Sequence, residues 1–165
     1  MSMNIAPDLD PMGEWRFEAC PVSSASSVVA SRGSLLIMRE CFYGTSRFSD
    51  FAARTGLSDA VVATRLKHLS GMGVLERRPY VEPGQRGRFE YHLTERGRGF
   101  FPVLVALIQW GGAYVQEGDG VVQLTEIRTG QRVRITASGA DGRALAPEDI
   151  AVQPRRRPDG SAQRP

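Results

Sequence analysis

Lysine is almost missing from this sequence: of 165 residues only Lys67 is one, and the chain has just two cysteines and two histidines. Nearly all of its positive charge is therefore guanidinium, the group suited to bidentate contact with phosphates and guanine edges, although a GC-rich coding bias is an equal explanation. Cys20 and Cys41 cannot build a disulfide framework, and His68 and His92 have no second ligand at metal spacing, so neither a stapled fold nor a metal site is expected. No apolar run reaches the roughly 18 residues of a membrane span, the stretch from Phe100 to Trp110 being too short, and no basic segment precedes an apolar run at the N-terminus. A cytoplasmic location is expected. A phosphate-cradling glycine loop, a dinucleotide fingerprint and a nucleophile elbow are also missing, which excludes the commonest enzyme classes and leaves no cofactor to assign.

What is present suits one main domain with appendages: 41% of the residues are hydrophobic, enough for a real core. The formal charge of +3 decides little, but its distribution is uneven. Residues 47 to 98 hold ten Arg or Lys against six Asp or Glu, whereas residues 1 to 20 hold one arginine against four acids. Residues 1 to 18, with Pro7, Pro11 and Gly13 among acids, read as a loose arm in which Trp15 and Phe17 are candidates for docking. At the other end, residues 154 to 165 carry Arg155, Arg156 and Arg157 between prolines and read as a disordered basic tail.

Between these, Val28, Val29, Leu35, Leu36, Met38, Cys41 and Phe42 suit two short helices hinged at residues 31 to 34. Phe48, Phe51 and Ala52 fall on one face of a short amphipathic helix that stops at Gly56. Ser58 is a good N-cap for a second helix in which Val61, Val62, Leu66 and Leu69 continue a helical period to Gly71. Two helices joined by a tight glycine-containing turn make a helix-turn-helix pattern. Residues 74 to 81 and 89 to 93 then read as a β-hairpin around Pro83, Gly84 and Gly87. A helix opening at Thr94 and apolar on more than one face follows, to about Val115. A small hairpin is expected from residues 121 to 127 and 132 to 137.

Helix, turn, helix and hairpin make a winged helix. The expected fold is mainly α with a small β-wing, a winged helix-turn-helix domain at residues 19 to 117, followed by a small β-hairpin extension at 118 to 153. A major groove about 12 Å wide admits the second helix, and a narrow minor groove attracts arginine, the role assigned to Arg86 and Arg88 on the wing. Several strings support one family. Cys20-Pro21, Leu36 to Glu40, Arg47 to Phe51, Arg65 to Leu69, Gly73 to Arg77, Glu90 to Gly97 and Trp110-Gly111, in unbroken order, resemble the HxlR-type winged-helix transcriptional regulators of bacteria. The resemblance implies a homodimer on double-stranded DNA, built from the N-terminal helix and the helix at 95 to 117. One departure is that the family usually has Lys-Trp where this chain has Arg32-Gly33, so packing at the first helix junction should loosen or be filled by Trp15 or Phe17.

On this reading Ser58, Asp59, Val61, Val62 and Arg65 are the expected base-edge contacts, because recognition helices touch bases from their N-terminal part. Arg47, Lys67, Arg86 and Arg88 would hold phosphates and set register, while Arg77 and Arg78 are open to pairing with nearby acids. Several relatives sense oxidants through the cysteine that matches Cys20, which makes it the candidate redox sensor. Cys41, on an apolar face, reads as buried filler. A small-molecule effector along the apolar helix is carried as an alternative signal, and a protein-interaction module with weak or lost DNA binding as the alternative function.

Overall fold

The computed structural model describes residues 2–7, 20–81, 87–116 and 121–153. Trp15, Phe17, Arg86 and the basic tail at 154 to 165 lie outside the described residues. The elements are β1 (Asn4–Ile5), α1 (Pro21–Val29), α2 (Arg32–Phe42), α3 (Phe48–Thr55), α4 (Asp59–Gly71), β2 (Leu75–Tyr80), β3 (Arg88–Leu93), α5 (Glu95–Arg98), α6 (Phe101–Tyr114) and β4 (Ala151–Val152). They fall into two compact units, Ala25–Val133 and the pair Met1–Ser24 with Arg134–Pro165.

Within the first unit the helix boundaries follow local chemistry. The Ser31 hydroxyl accepts the Ser34 amide at 3.0 Å and opens α2. α3 stops because Gly56 turns left-handed at φ 67°, a conformation that side chains with a Cβ resist. Only Gly56, Leu57 and Ser58 separate α3 from α4. Val62, Leu66 and Leu69, at i, i+4 and i+7 of α4, are fully buried against Ile37 and Met38 of α2 and Phe51 of α3. At about 1.5–3 kcal/mol for each buried aliphatic side chain, this stripe fixes α4 on the other two helices.

The wing follows directly. β2 and β3 pair antiparallel from Leu75↔Leu93 to Tyr80↔Arg88, and the Tyr91 ring meets Phe51 edge-on with centroids 6.5 Å apart. The Tyr91 amide donates to the Ser46 carbonyl at 2.9 Å, so the segment before α3 adds a third edge at the root of the wing. α5 lies against the start of β2, where a Cβ on Gly97 would come 2.3 Å from the Val74 carbonyl oxygen; only glycine fits. Thr94 pins the same corner, its hydroxyl accepting the Gly97 amide at 3.1 Å and donating to the Gly73 carbonyl at 2.7 Å.

Two expectations change. The single helix expected after Thr94 is α5 and α6, separated by a turn at Gly99 and Phe100. Pro102 explains the break: it has no amide to donate and its ring would strike the carbonyl four residues back, so it is tolerated only in a first helical turn, where it sits in α6. The expected hairpin at 121 to 137 is reduced to one bridge, Thr125↔Arg132, flanked by 2.8 Å bonds from Glu126 to Gln131 and from Val133 to Leu124. It covers part of α6: Val105, Ile108 and Gln109 face Val122, Leu124 and Val133 around a hollow of ≈ 10 Å³, room for about one water.

In the second unit β1 and β4 pair in parallel, Asn4↔Ala151 and Ile5↔Val152, and the Asn4 side-chain amide donates to the Glu148 carbonyl at 2.8 Å. Asn4 and Ile5, expected in a loose arm, are thus a strand.

Candidate nucleic-acid interface

α4 presents one face to the core and one to solvent. Its most outward line is Ala60, Ala63, Thr64 and Lys67, all exposed, flanked by exposed Ser58, Asp59 and Val61. Small side chains at Ala60 and Ala63 let a helix backbone come close to whatever it docks against. Ser58 occupies the N-cap position with extended backbone, but its side chain makes no capping bond, so the hydroxyl stands at the positive end of the helix. Asp59 is the acid of the first turn and, as an acceptor, matches the amino group of cytosine better than a phosphate.

Val62 must be removed from the expected contacts. It is fully buried with Leu66 and Leu69, and its neighbour Val61, 38% exposed, is the valine that reaches the surface. At 100° per residue two adjacent valines cannot share a face, and the stripe at i, i+4 and i+7 had already claimed Val62.

Arg65 is half-buried, and the reason lies at Gly33. That glycine is buried in α2, and a Cβ there would lie 3.3 Å from the Arg65 Cγ, with Leu57 and Val61 at 3.6 Å. α4 and the turn before it thus pack closely against Gly33. The stem of Arg65 is laid along α2 while Lys67 is exposed and has no ion pair among the described residues. His68 ties the same helix to α1, its Nε2 lying 3.1 Å from the Val28 carbonyl oxygen.

The wing arginines divide. Arg47 is drawn into the wing root: its Nε reaches Glu90 Oε1 at 3.3 Å and its guanidinium lies over the Tyr80 ring, 4.9 Å from the centroid. Glu90 also meets His92 Nε2 at 3.2 Å. Arg88 is exposed at the end of β3 opposite Tyr80, with no ion pair among the described residues. Arg78 is held by Glu76, with its Nε 3.1 Å and Nη2 2.5 Å from Oε1.

A buried carboxylate, which the sequence reading did not single out, orients this frame from behind. Glu40 of α2 is 2% exposed and accepts Arg54 Nε of α3 at 2.6 Å, Arg39 Nη2 at 2.7 Å and the Thr45 hydroxyl at 3.3 Å. Burial alone would raise its pKa, but the Arg54 and Arg39 bonds outweigh that and hold it below the usual carboxylate range. An acid inside an apolar helix stretch, beside Arg39 and with Arg54 further along, was the available signal.

The two cysteines differ in position. Cys20 immediately precedes α1, is half-buried, and its carbonyl accepts the Ser24 amide at 2.9 Å. Burial, then the adjacent Glu40 charge, pushes the Cys41 thiol up to about 12, so it stays protonated at neutral pH, in keeping with a packing role.

α6 is the apolar element left over. Leu104 and Val105 are buried, but Phe101, Val103, Leu107, Trp110 and Tyr114 are exposed. No helix among the described residues is long and apolar enough to cross a membrane.

Residues 28–119 match the model of the HxlR-like helix-turn-helix family. The chain belongs to that family. The HxlR-like segment takes in the end of α1, α2 to α6 and the wing, and leaves out Cys20 and the residues after 119. An uncharacterized HTH-type transcriptional regulator of Mycobacterium tuberculosis is 39% identical over 105 residues, 64% of this chain and 65% of the relative; the match therefore spans just under two thirds of that protein. Among solved structures, the candidate transcription factor PA1607 is 39% identical with a TM-score of 0.74, covering 82% of this chain and 94% of the other. The redox regulator HypR in its oxidized form is 25% identical with a TM-score of 0.51, covering 56% of this chain and 94% of that one.

Proposed function

We propose that the chain is a transcriptional regulator that binds double-stranded DNA sequence-specifically as a homodimer on a palindromic operator. The observation that carries this is the surface of α4, where small and polar residues and an exposed Lys67 stand outward over a fully buried Val62, Leu66 and Leu69. Such a helix fits a major groove. Ser58, Asp59, Val61 and Arg65 take base edges, while Lys67, Arg88, Arg47 and Arg86 take the backbone. The names of the relatives, an HTH-type transcriptional regulator and a candidate transcription factor, support the same role.

The dimer rests on α6. Its exposed Phe101, Val103, Leu107, Trp110 and Tyr114 form an apolar surface that a second copy, with α1 alongside, would cover. Pairing two recognition helices about 34–36 Å apart matches half-sites one DNA turn apart.

For the signal, thiol oxidation at Cys20 is the reading we favour, and the likeness to the redox regulator HypR supports it. Along α6 a small ligand would need a cleft formed between two copies, since the hollow there within one chain is ≈ 10 Å³. The test is fluorescence anisotropy on DNA from upstream of the protein's own gene, over a salt series, with and without a mild thiol oxidant. Salt-sensitive binding that survives random competitor DNA, and is released by oxidant in the wild type but not in Cys20→Ser, is the expected result. Binding indifferent to oxidant moves the signal to a small ligand, and no preference over random DNA returns the chain to the interaction-module reading.

A further inference from the structure

The arginines of the wing are not equivalent, and one of them is held in place without a charged partner among the described residues. Arg78 is neutralised by Glu76, and Arg47 is engaged by Glu90 and Tyr80. Arg77, the next residue along β2 from Glu76, is different. The register sets it opposite Tyr91 and diagonal to Phe89, its guanidinium carbon lies 3.9 Å from the Phe89 ring centroid, and it has no ion pair among the described residues. Both members of this pair are exposed, Phe89 at 43%.

Stacking on the ring occupies a face of the guanidinium and leaves its in-plane N–H groups, the ones that bind an oxyanion side by side, pointing away from the ring. It also holds a side chain that would otherwise lose rotamer freedom on binding. Lysine, a point charge without a plane, would lose most of this. A large exposed aromatic on a polar hairpin is otherwise unaccounted for. The pair lies on the face of the wing whose Tyr91 rests on Phe51 of α3, so it continues the helix-turn-helix surface outward.

We infer that Arg77 is a DNA-phosphate contact of the wing, additional to Arg47, Arg86 and Arg88, and that Phe89 is its positioning residue. The inference rests on the DNA-binding reading above. Arg78, adjacent in sequence and already neutralised by Glu76, is the internal control.

The experiment uses the full chain and a fluorescein-labelled duplex that the wild type has selected from a randomised pool, titrated over a potassium chloride series. Arg77→Ala is expected to weaken binding about tenfold and to reduce the log–log salt slope by about 0.9, the share of one phosphate. Arg78→Ala should leave both nearly unchanged. Phe89→Leu should weaken binding about threefold with the slope kept, because the charge remains but is no longer held, and Phe89→Tyr should restore it. A wild-type slope in Arg77→Ala overturns the inference while leaving the DNA-binding reading intact; a wild type that selects no duplex, or binds without a salt slope, overturns both. Thermal melts by circular dichroism establish that each variant is folded, and Arg77→Gln carries the same test should the alanine variant melt early.

Discussion

α4 and α6 are of similar length, 13 and 14 residues, and sit in the same compact unit, yet they solve opposite problems. α4 has a narrow apolar stripe, and the chain buries all of it: Val62, Leu66 and Leu69 have no exposed surface. α6 is apolar nearly all round, and the chain buries only Leu104 and Val105, with the extension shielding Ile108 in part. The first helix is complete within one molecule and its remaining face is free for a polar partner. The second is incomplete by itself. A burial pattern thus separates the surface suited to DNA from the surface suited to another copy, which composition alone could not do.

The contrast is open to attack at several points. The largest effect should come from Leu66→Ala, which empties a fully buried site in α4 and should cost about 2–5 kcal/mol. Chemical denaturation would show it as a lower midpoint, and DNA binding should be lost with the fold. Leu107→Glu on α6 should instead leave the fold and remove the assembly: light scattering should read 18.1 kDa in place of twice that mass. A variant that stays dimeric would mean that α6 is not the seam.

Glu40→Gln sharpens the comparison from behind α4, because this carboxylate joins α2 to α3 without touching either surface. Loss of the charge should cost about 1.5–3 kcal/mol, as for a hydrogen bond to a charged group. The carboxyl pKa is lowered in the fold from an ordinary value of 4.5, so its stabilisation is complete above that pH and fades as pH falls through the lower folded value. Melting temperature followed from pH 6 down to about pH 3 should therefore fall more steeply in the wild type than in Glu40→Gln. The smallest structural effect belongs to Lys67→Ala on the outward line of α4. Stability should change by less than about 0.5 kcal/mol, while DNA affinity drops and the salt slope falls by about 0.9.

Much of the frame was readable beforehand. Phe48 and Phe51 at helical spacing, Gly56 as a stop and Ser58 as a start set the helix-turn-helix, and alternation at Phe89, Tyr91 and Leu93 set the wing strand. Strong periodicity over several turns carries that information. Val62 was misassigned because a rule about where bases are touched was applied before the angular position of each residue. The break at Gly99 and Phe100 was hidden by unbroken hydrophobicity, although Pro102 marked it. The stacking of Arg77 on Phe89 depends on a diagonal across two strands, which exists only once the register is fixed. The pairing of β1 with β4 had no local signal, since two-residue strands have no period to detect.

That last pairing has a consequence for synthesis on the ribosome. Asn4 emerges early, and the Glu148 carbonyl it bonds lies 144 residues further along. Every contact of the unit from Ala25 to Val133 can close while β1 still waits for its neighbour. The helix-turn-helix can be built first, and the pairing of β1 with β4 closes only after it.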